Sequence, residues 1–103
     1  MQLIDGLYIE MPTEKLRGIL ALRAAHHWDK AIWYKQQVET LSKEIESNPN
    51  VSNNPIQSLR QSQTSHETKH TFFKMLEENL VPDALYRLSQ DNCVRLELYA
   101  QYF

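Results

Sequence analysis

The stretch TEKLRGILALRAAHHWDKAIWYKQQVETLSKEIE, residues 13–46, decides the fold of this 103-residue chain. Its apolar residues recur every three, four or seven positions, which is the spacing of a helix packed along one stripe against a partner helix. This packing stripe consists of Leu16, Leu20, Ala24, His27, Ala31, Tyr34, Val38, Leu41 and Ile45. Pro12 suits a helix's first turn, and Thr13 and Glu14 complement its exposed N–H groups. The pattern predicts one long amphipathic helix over residues 13–46.

A second apolar surface lies beside the packing stripe, near the middle of this helix. It consists of Trp28, Ile32 and Trp33, which we call the aromatic face. The combined apolar surface is wider than one packed neighbour covers, so we expect two neighbours. One is a second helix. The other is either the terminal strands or a second copy of the chain, although aromatic side chains of small domains also commonly lie in the intramolecular core.

Residues 47–63 are rich in Ser, Asn and Gln and predict a flexible hairpin tip. Two signals for the start of the next helix compete: Asn54 with Pro55, and a capping box formed by Thr64 and Glu67. Pro82 forbids a smooth continuation, so the second helix ends or kinks there. Its helically spaced residues are Ile56, Leu59, His66, His70, Phe73, Leu76 and Leu80.

The terminal segments favour short elements. Loose alternation over residues 3–11 predicts a strand, residues 83–90 a short third helix, and period-two alternation over residues 94–103 a C-terminal strand. A terminal helix capped by Asn92 is the alternative for this last segment. The predicted fold is therefore mainly α: a single domain, residues 1–103, with a long antiparallel helical hairpin, a short third helix and terminal strands positioned to pair.

Composition restricts the classes of function. Eleven Lys and Arg against thirteen Asp and Glu give a net charge of -2 without a basic stripe, so we do not expect a nucleic-acid partner. The single cysteine, Cys93, allows no intramolecular disulfide and has the pattern of a small buried hydrophobe. No apolar run approaches the roughly 20 residues of a membrane span, and no secretory leader is evident. We expect a cytoplasmic protein without a membrane partner.

Residues 66–70 read His-Glu-Thr-Lys-His, which matches the His-Glu-x-x-His motif of zincin metalloproteases. The resemblance covers these five residues alone, and Lys69 stands where that family's motif prefers an uncharged residue. A resemblance to zincins implies zinc held by His66 and His70, with Glu67 activating water. A catalytic zinc needs a third protein ligand, and Glu39, the best candidate, points away from the packing stripe.

The alternative interpretation places His66 and His70 in a polar layer with Tyr34 inside the hairpin, which would help to fix the helix register. A tip centred near residue 52 sets His66 near Val38 and His70 near Tyr34. The same register places His27 about 10 Å along the axis from His70. If the layer is buried, acidification charges it and weakens stability or assembly below about pH 6.

This short chain has a surplus apolar helix face and no complete set of catalytic residues. It is best interpreted as a protein–protein interaction or assembly module. We expect no enzyme activity, cofactor or metal. The expected interface is Trp28, Ile32 and Trp33, and the expected state a homo-oligomer, with a dimer favoured and another protein as a further possible partner. The alternative function is a zinc-binding protein or metal-dependent hydrolase using His66, Glu67 and His70.

Overall fold

A computed structural model describes residues 8–48 and 54–98. Its elements, in chain order, are strand β1 (Tyr8–Pro12), helix α1 (Thr13–Ser47), helix α2 (Asn54–Glu78), strand β2 (Leu85–Ser89) and helix α3 (Gln90–Arg95). The two long helices contact each other as an antiparallel hairpin, and β1 pairs with β2 in an antiparallel two-stranded sheet. The predicted fold class is therefore confirmed.

The described chain divides into two compact units. The helix-pair unit is Ala24–Phe72, and the sheet unit takes in the residues up to Arg23 and those from Phe73 onward. Both long helices contribute residues to each unit. The prediction of a single domain over residues 1–103 stays a prediction.

Helix α1 begins at Thr13, directly after Pro12, and ends at Ser47, one residue beyond the predicted end. The burial along it follows the packing stripe. Leu16, Leu20, Ala24, His27, Ala31 and Val38 are buried, and Tyr34, Leu41 and Ile45 are half-buried. The predicted helix and its inward-facing stripe are confirmed. Among the described residues, no helix combines the length and apolarity needed to cross a membrane.

Gly18 lies in the helical part of α1, where glycine is an unfavourable residue because it loses more backbone entropy than alanine. A Cβ atom added there meets nothing within 4 Å. We therefore expect Gly18→Ala to raise the free energy of unfolding by about 0.5–1 kcal/mol. Urea denaturation followed by circular dichroism measures this; a loss of stability would show that the site needs glycine.

Helix α2 begins at Asn54, at the earlier of the two predicted start signals. Residues 54–63 of the predicted tip are therefore helical, and Ser47 at its other end belongs to α1. Residues 49–53 lie outside the described residues. The helix ends at Glu78, before Pro82, which has no N–H for a further helical hydrogen bond. At this end Asn79 donates its backbone N–H and its Nδ2 to the carbonyl of Met75, the latter at 2.6 Å.

The predicted third helix over residues 83–90 is wrong, because Leu85–Ser89 forms strand β2. The register pairs Ile9 with Leu88 and Met11 with Tyr86, so these four side chains share the inner face of the sheet. On the outer face Arg87 lies 3.5 Å from the Glu10 carboxylate and 3.9 Å from the centre of the Tyr8 ring. A segment of five residues is too short for its apolar spacing to distinguish a helix from a strand. Its pairing with β1 makes it a strand.

The predicted N-terminal strand is observed over its second half. Strand β1 covers Tyr8–Pro12, and the earlier residues of the predicted strand, 3–7, lie outside the described residues. Its partner is β2 rather than the predicted strand over residues 94–103.

The predicted C-terminal strand is wrong where it is described. Val94 and Arg95 belong to α3, whose N-cap is Ser89 rather than Asn92: the Ser89 Oγ accepts the Asn92 N–H at 3.2 Å. The helix ends in a Schellman motif, in which Glu97, with φ 58°, donates to Val94 O and Leu98 donates to Cys93 O. Residues 99–103 lie outside the described residues.

Thr13 joins the start of α1 to the segment before β2. Its buried hydroxyl donates to Val81 O at 2.6 Å and accepts the Ala84 N–H at 3.0 Å. Its own backbone N–H donates to Ala84 O at 3.0 Å. The side chain of Thr13 therefore satisfies two backbone polar groups of one segment, which lies 68 to 71 residues further along the chain.

The two units bury different kinds of side chain. The sheet unit buries large apolar residues: Met11, Leu16, Leu20, Phe73, Leu88, Leu96 and Leu98, together with Cys93. Burial raises the pKa of the Cys93 thiol, consistent with its predicted role as a small hydrophobe. In the helix-pair unit the buried residues are Ala24, His27, Ala31 and Val38. The small side chains of Ala24 and Ala31 leave room for aromatic rings between the two helices.

Candidate functional site

The helix-pair unit contains all four histidines of the chain and both tryptophans. His26, His27, Trp28 and Trp33 lie on α1, and His66 and His70 lie on α2. The packing stripe turns His27 inward, so that this ring is only 4% exposed, whereas His26 is exposed because adjacent helical residues project about 100° apart.

His27 and His66 form a direct contact between the two helices, which we call the histidine pair. Their Nδ1 atoms are 2.8 Å apart, and the ring centroids are 5.1 Å apart with the planes 29° from parallel. A hydrogen bond at this distance requires a proton on one Nδ1 and a lone pair on the other. Tyr34 stacks on His66 with the centroids 5.6 Å apart and the planes 13° from parallel.

His70 makes a different contact. Its Nδ1 lies 2.9 Å from Ala24 O, which makes the nitrogen a donor because a carbonyl oxygen only accepts. The Trp28 ring lies against it, with the centroids 5.0 Å apart. His66 and His70 are half-buried. The two residues therefore bind different partners on α1.

The predicted register is wrong. His66 contacts His27 and Tyr34 rather than Val38, and His70 contacts Ala24 and Trp28 rather than Tyr34. Each histidine of α2 thus meets α1 nearer its N-terminus than a symmetric tip near residue 52 implies. The helix ends account for some of this difference. Helix α1 ends at Ser47 and α2 begins at Asn54, so the midpoint between them lies before residue 52.

The electrostatic surroundings of the histidine pair are cationic. Burial lowers the pKa of His66 below its ordinary value of 6.5, and the neighbouring His27, Lys69, His26 and Lys30 lower it further. The exposed His26 meets His27 edge-on, with the centroids 5.1 Å apart. A second positive charge in this cluster therefore has no favourable environment.

The geometry gives the zincin resemblance no support. Within residues 8–48 and 54–98 no group of three or more His, Cys, Asp or Glu side chains is placed to hold a metal ion. The Nδ1 atoms of His66 and His70 each contact a protein atom on α1, which fits roles in helix packing. We assign no metal to these residues.

The aromatic face is exposed in the described structure. Trp28, Ile32 and Trp33 are 47%, 39% and 50% accessible to solvent. Each tryptophan also rests on a ring of the unit interior: Trp28 on His70, and Trp33 edge-on against Tyr34 with the centroids 5.0 Å apart. A shallow cleft beside this face is lined by His26, Asp29, Lys30, Trp33 and Tyr34.

Sequence reasoning missed two features of this site. It excluded His27 from the cluster by the register argument, and it did not foresee that Ala24 would offer its carbonyl to His70. The signal for His27 was its place in the packing stripe, which predicts an inward ring irrespective of the register. Comparison with protein-family models, with curated proteins and with solved structures finds no match for this chain.

Proposed function

We propose that this protein is a protein–protein interaction and assembly module that associates with a second copy of itself through the aromatic face on α1. The observation that carries the proposal is the exposure of Trp28, Ile32 and Trp33. Each of these residues is 39–50% accessible to solvent. Tryptophan is enriched in protein interfaces because a rigid, large ring contributes much contact area for little loss of entropy.

The surroundings of the aromatic face support an interface. Each tryptophan is braced by a ring of the same unit, so the face is ordered before a partner binds and less entropy is lost on association. Asp29, Lys30 and Lys35 are exposed around it and supply charges of both signs. Such a mixture suits a polar rim that a second copy of the same surface can complement.

We expect Trp33→Glu to convert an assembled protein to a monomer, because the substitution places a charge where apolar surface is buried on association. Trp33 is half exposed in the chain itself, so the helix content is expected to remain. Light scattering coupled to size-exclusion chromatography measures the mass, and circular dichroism measures the helix content.

Met75→Glu is the matched control for this experiment. Met75 is also a large apolar residue on a long helix and is 58% exposed, but it lies in the sheet unit. We expect this variant to keep the mass of the wild-type protein. A monomeric wild-type protein would contradict self-association, and an equal loss of mass in both variants would contradict an interface at the aromatic face.

A further inference from the structure

The geometry of the histidine pair limits how many protons the two rings can carry while they stay in contact. With one Nδ1 proton between the rings, a donor meets a lone pair at 2.8 Å, as a hydrogen bond requires. One additional proton is tolerated, because a protonated imidazole donates to a neutral one and the bond becomes charge-assisted. A second additional proton leaves both Nδ1 atoms as donors with no lone pair between them. The contact then cannot persist at this distance.

The groups that face the pair oppose the second proton. Lys30 and His26 approach from α1 and Lys69 from α2, and each of them lowers the pKa of His66. On its other side His66 meets the stacked ring of Tyr34, which offers no carboxylate to balance a second positive charge. Relief of the repulsion therefore requires the two rings to move apart.

We propose that the histidine pair is a pH-sensitive switch in the pairing of α1 and α2 within the helix-pair unit. When the rings share a proton, His27 and His66 join the helices. When each ring carries its own Nδ1 proton, the rings separate and this stretch of the two helices loosens. The buried neighbours of His27 along the packing stripe are Ala24 and Ala31, whose small side chains contribute little apolar burial against the separation at this point.

The direction of the pH effect follows from linkage. The pKa of His66 is lower in the folded chain than in the unfolded chain, so the unfolded chain binds more protons as the pH falls through about 6.5. Stability is full above that pH and is lost progressively below it. His70 forms no such pair, because its Nδ1 faces the carbonyl oxygen of Ala24 rather than a second imidazole ring.

The test compares His66→Gln with His70→Gln, the same substitution one helical turn away on α2. Between about pH 7.5 and about pH 5 we expect the thermal midpoint of the wild-type protein to fall by at least about 4 °C. We expect His66→Gln to lose at least half of this fall, because glutamine keeps a donor and an acceptor toward His27 without titrating. His70→Gln is expected to retain it. Equal pH dependence in the wild-type protein and His66→Gln would overturn the proposal.

A titration of the wild-type protein keeps the proposal testable if a variant fails to fold. Nuclear magnetic resonance follows the protonation of each histidine ring, and the emission of Trp28 and Trp33 reports their contacts with His70 and Tyr34. We expect the last protonation step of the pair to coincide with a change in tryptophan emission. Full protonation of both His27 and His66 with unchanged emission and unchanged helix content would overturn the switch.

Discussion

Replacement of Phe73 by alanine is expected to lower the free energy of unfolding by about 3–5 kcal/mol. Phe73 is 1% exposed and is among the largest fully buried side chains described. Its removal takes away the transfer free energy of the ring and leaves a cavity that the sheet unit fills only partly. A chain of this size has a total stability of about 5–15 kcal/mol, so the variant is close to unfolding. Urea denaturation followed at 222 nm measures the loss.

Phe72→Ala is the matched control for Phe73→Ala. The two phenylalanines are neighbours on α2, but Phe72 is 44% exposed. We expect it to lose less than about 1.5 kcal/mol, because much of its ring remains in water in the folded chain. Similar losses at the two positions would contradict the burial that places Phe73 in the core.

Thr13→Val is expected to destabilise the protein by about 2 kcal/mol, although valine has nearly the shape of threonine. The hydroxyl of Thr13 donates to Val81 O and accepts the Ala84 N–H. Valine leaves these two backbone groups without that partner, and the site is shielded because Thr13 is itself buried. The same denaturation experiment gives the change.

Thr13→Ser separates the hydroxyl from the methyl group. Serine keeps both hydrogen bonds and loses one buried methyl, so we expect a loss of about 1 kcal/mol or less. If serine proves as destabilising as valine, the methyl group rather than the hydroxyl accounts for the role of Thr13.

Long periodic segments were predictable from the sequence, and short ones were not. The extent of α1 and the burial of its packing stripe follow from an apolar spacing that repeats over about ten turns. The segment at Leu85–Ser89 is too short for its own period to decide, and its state depends on β1, far away in the chain. In α3 the N-cap at Ser89 and the Schellman motif that includes Glu97 override an alternation that also fits a strand.

The candidate site was predictable in composition but not in register. The sequence alone was sufficient to expect inward histidines on α2 and exposed apolar residues on α1. Which residue of α1 meets His66 depends on the axial offset of two helices joined through a tip whose length the composition does not determine. The change from Val38 to His27 as the neighbour of His66 is a shift of eleven residues along α1, or about three helical turns, and it converts an ordinary polar layer into a histidine pair.

The bonds between Thr13 and Ala84 have a consequence for the order in which the protein forms during synthesis. They join groups 71 residues apart, and β1 likewise pairs with a strand near the other end of the described chain. The contact between His27 and His66 closes a segment of 39 residues. On the ribosome both long helices are synthesised before β2. Helices α1 and α2 can therefore pack against each other while β1 still lacks its partner strand.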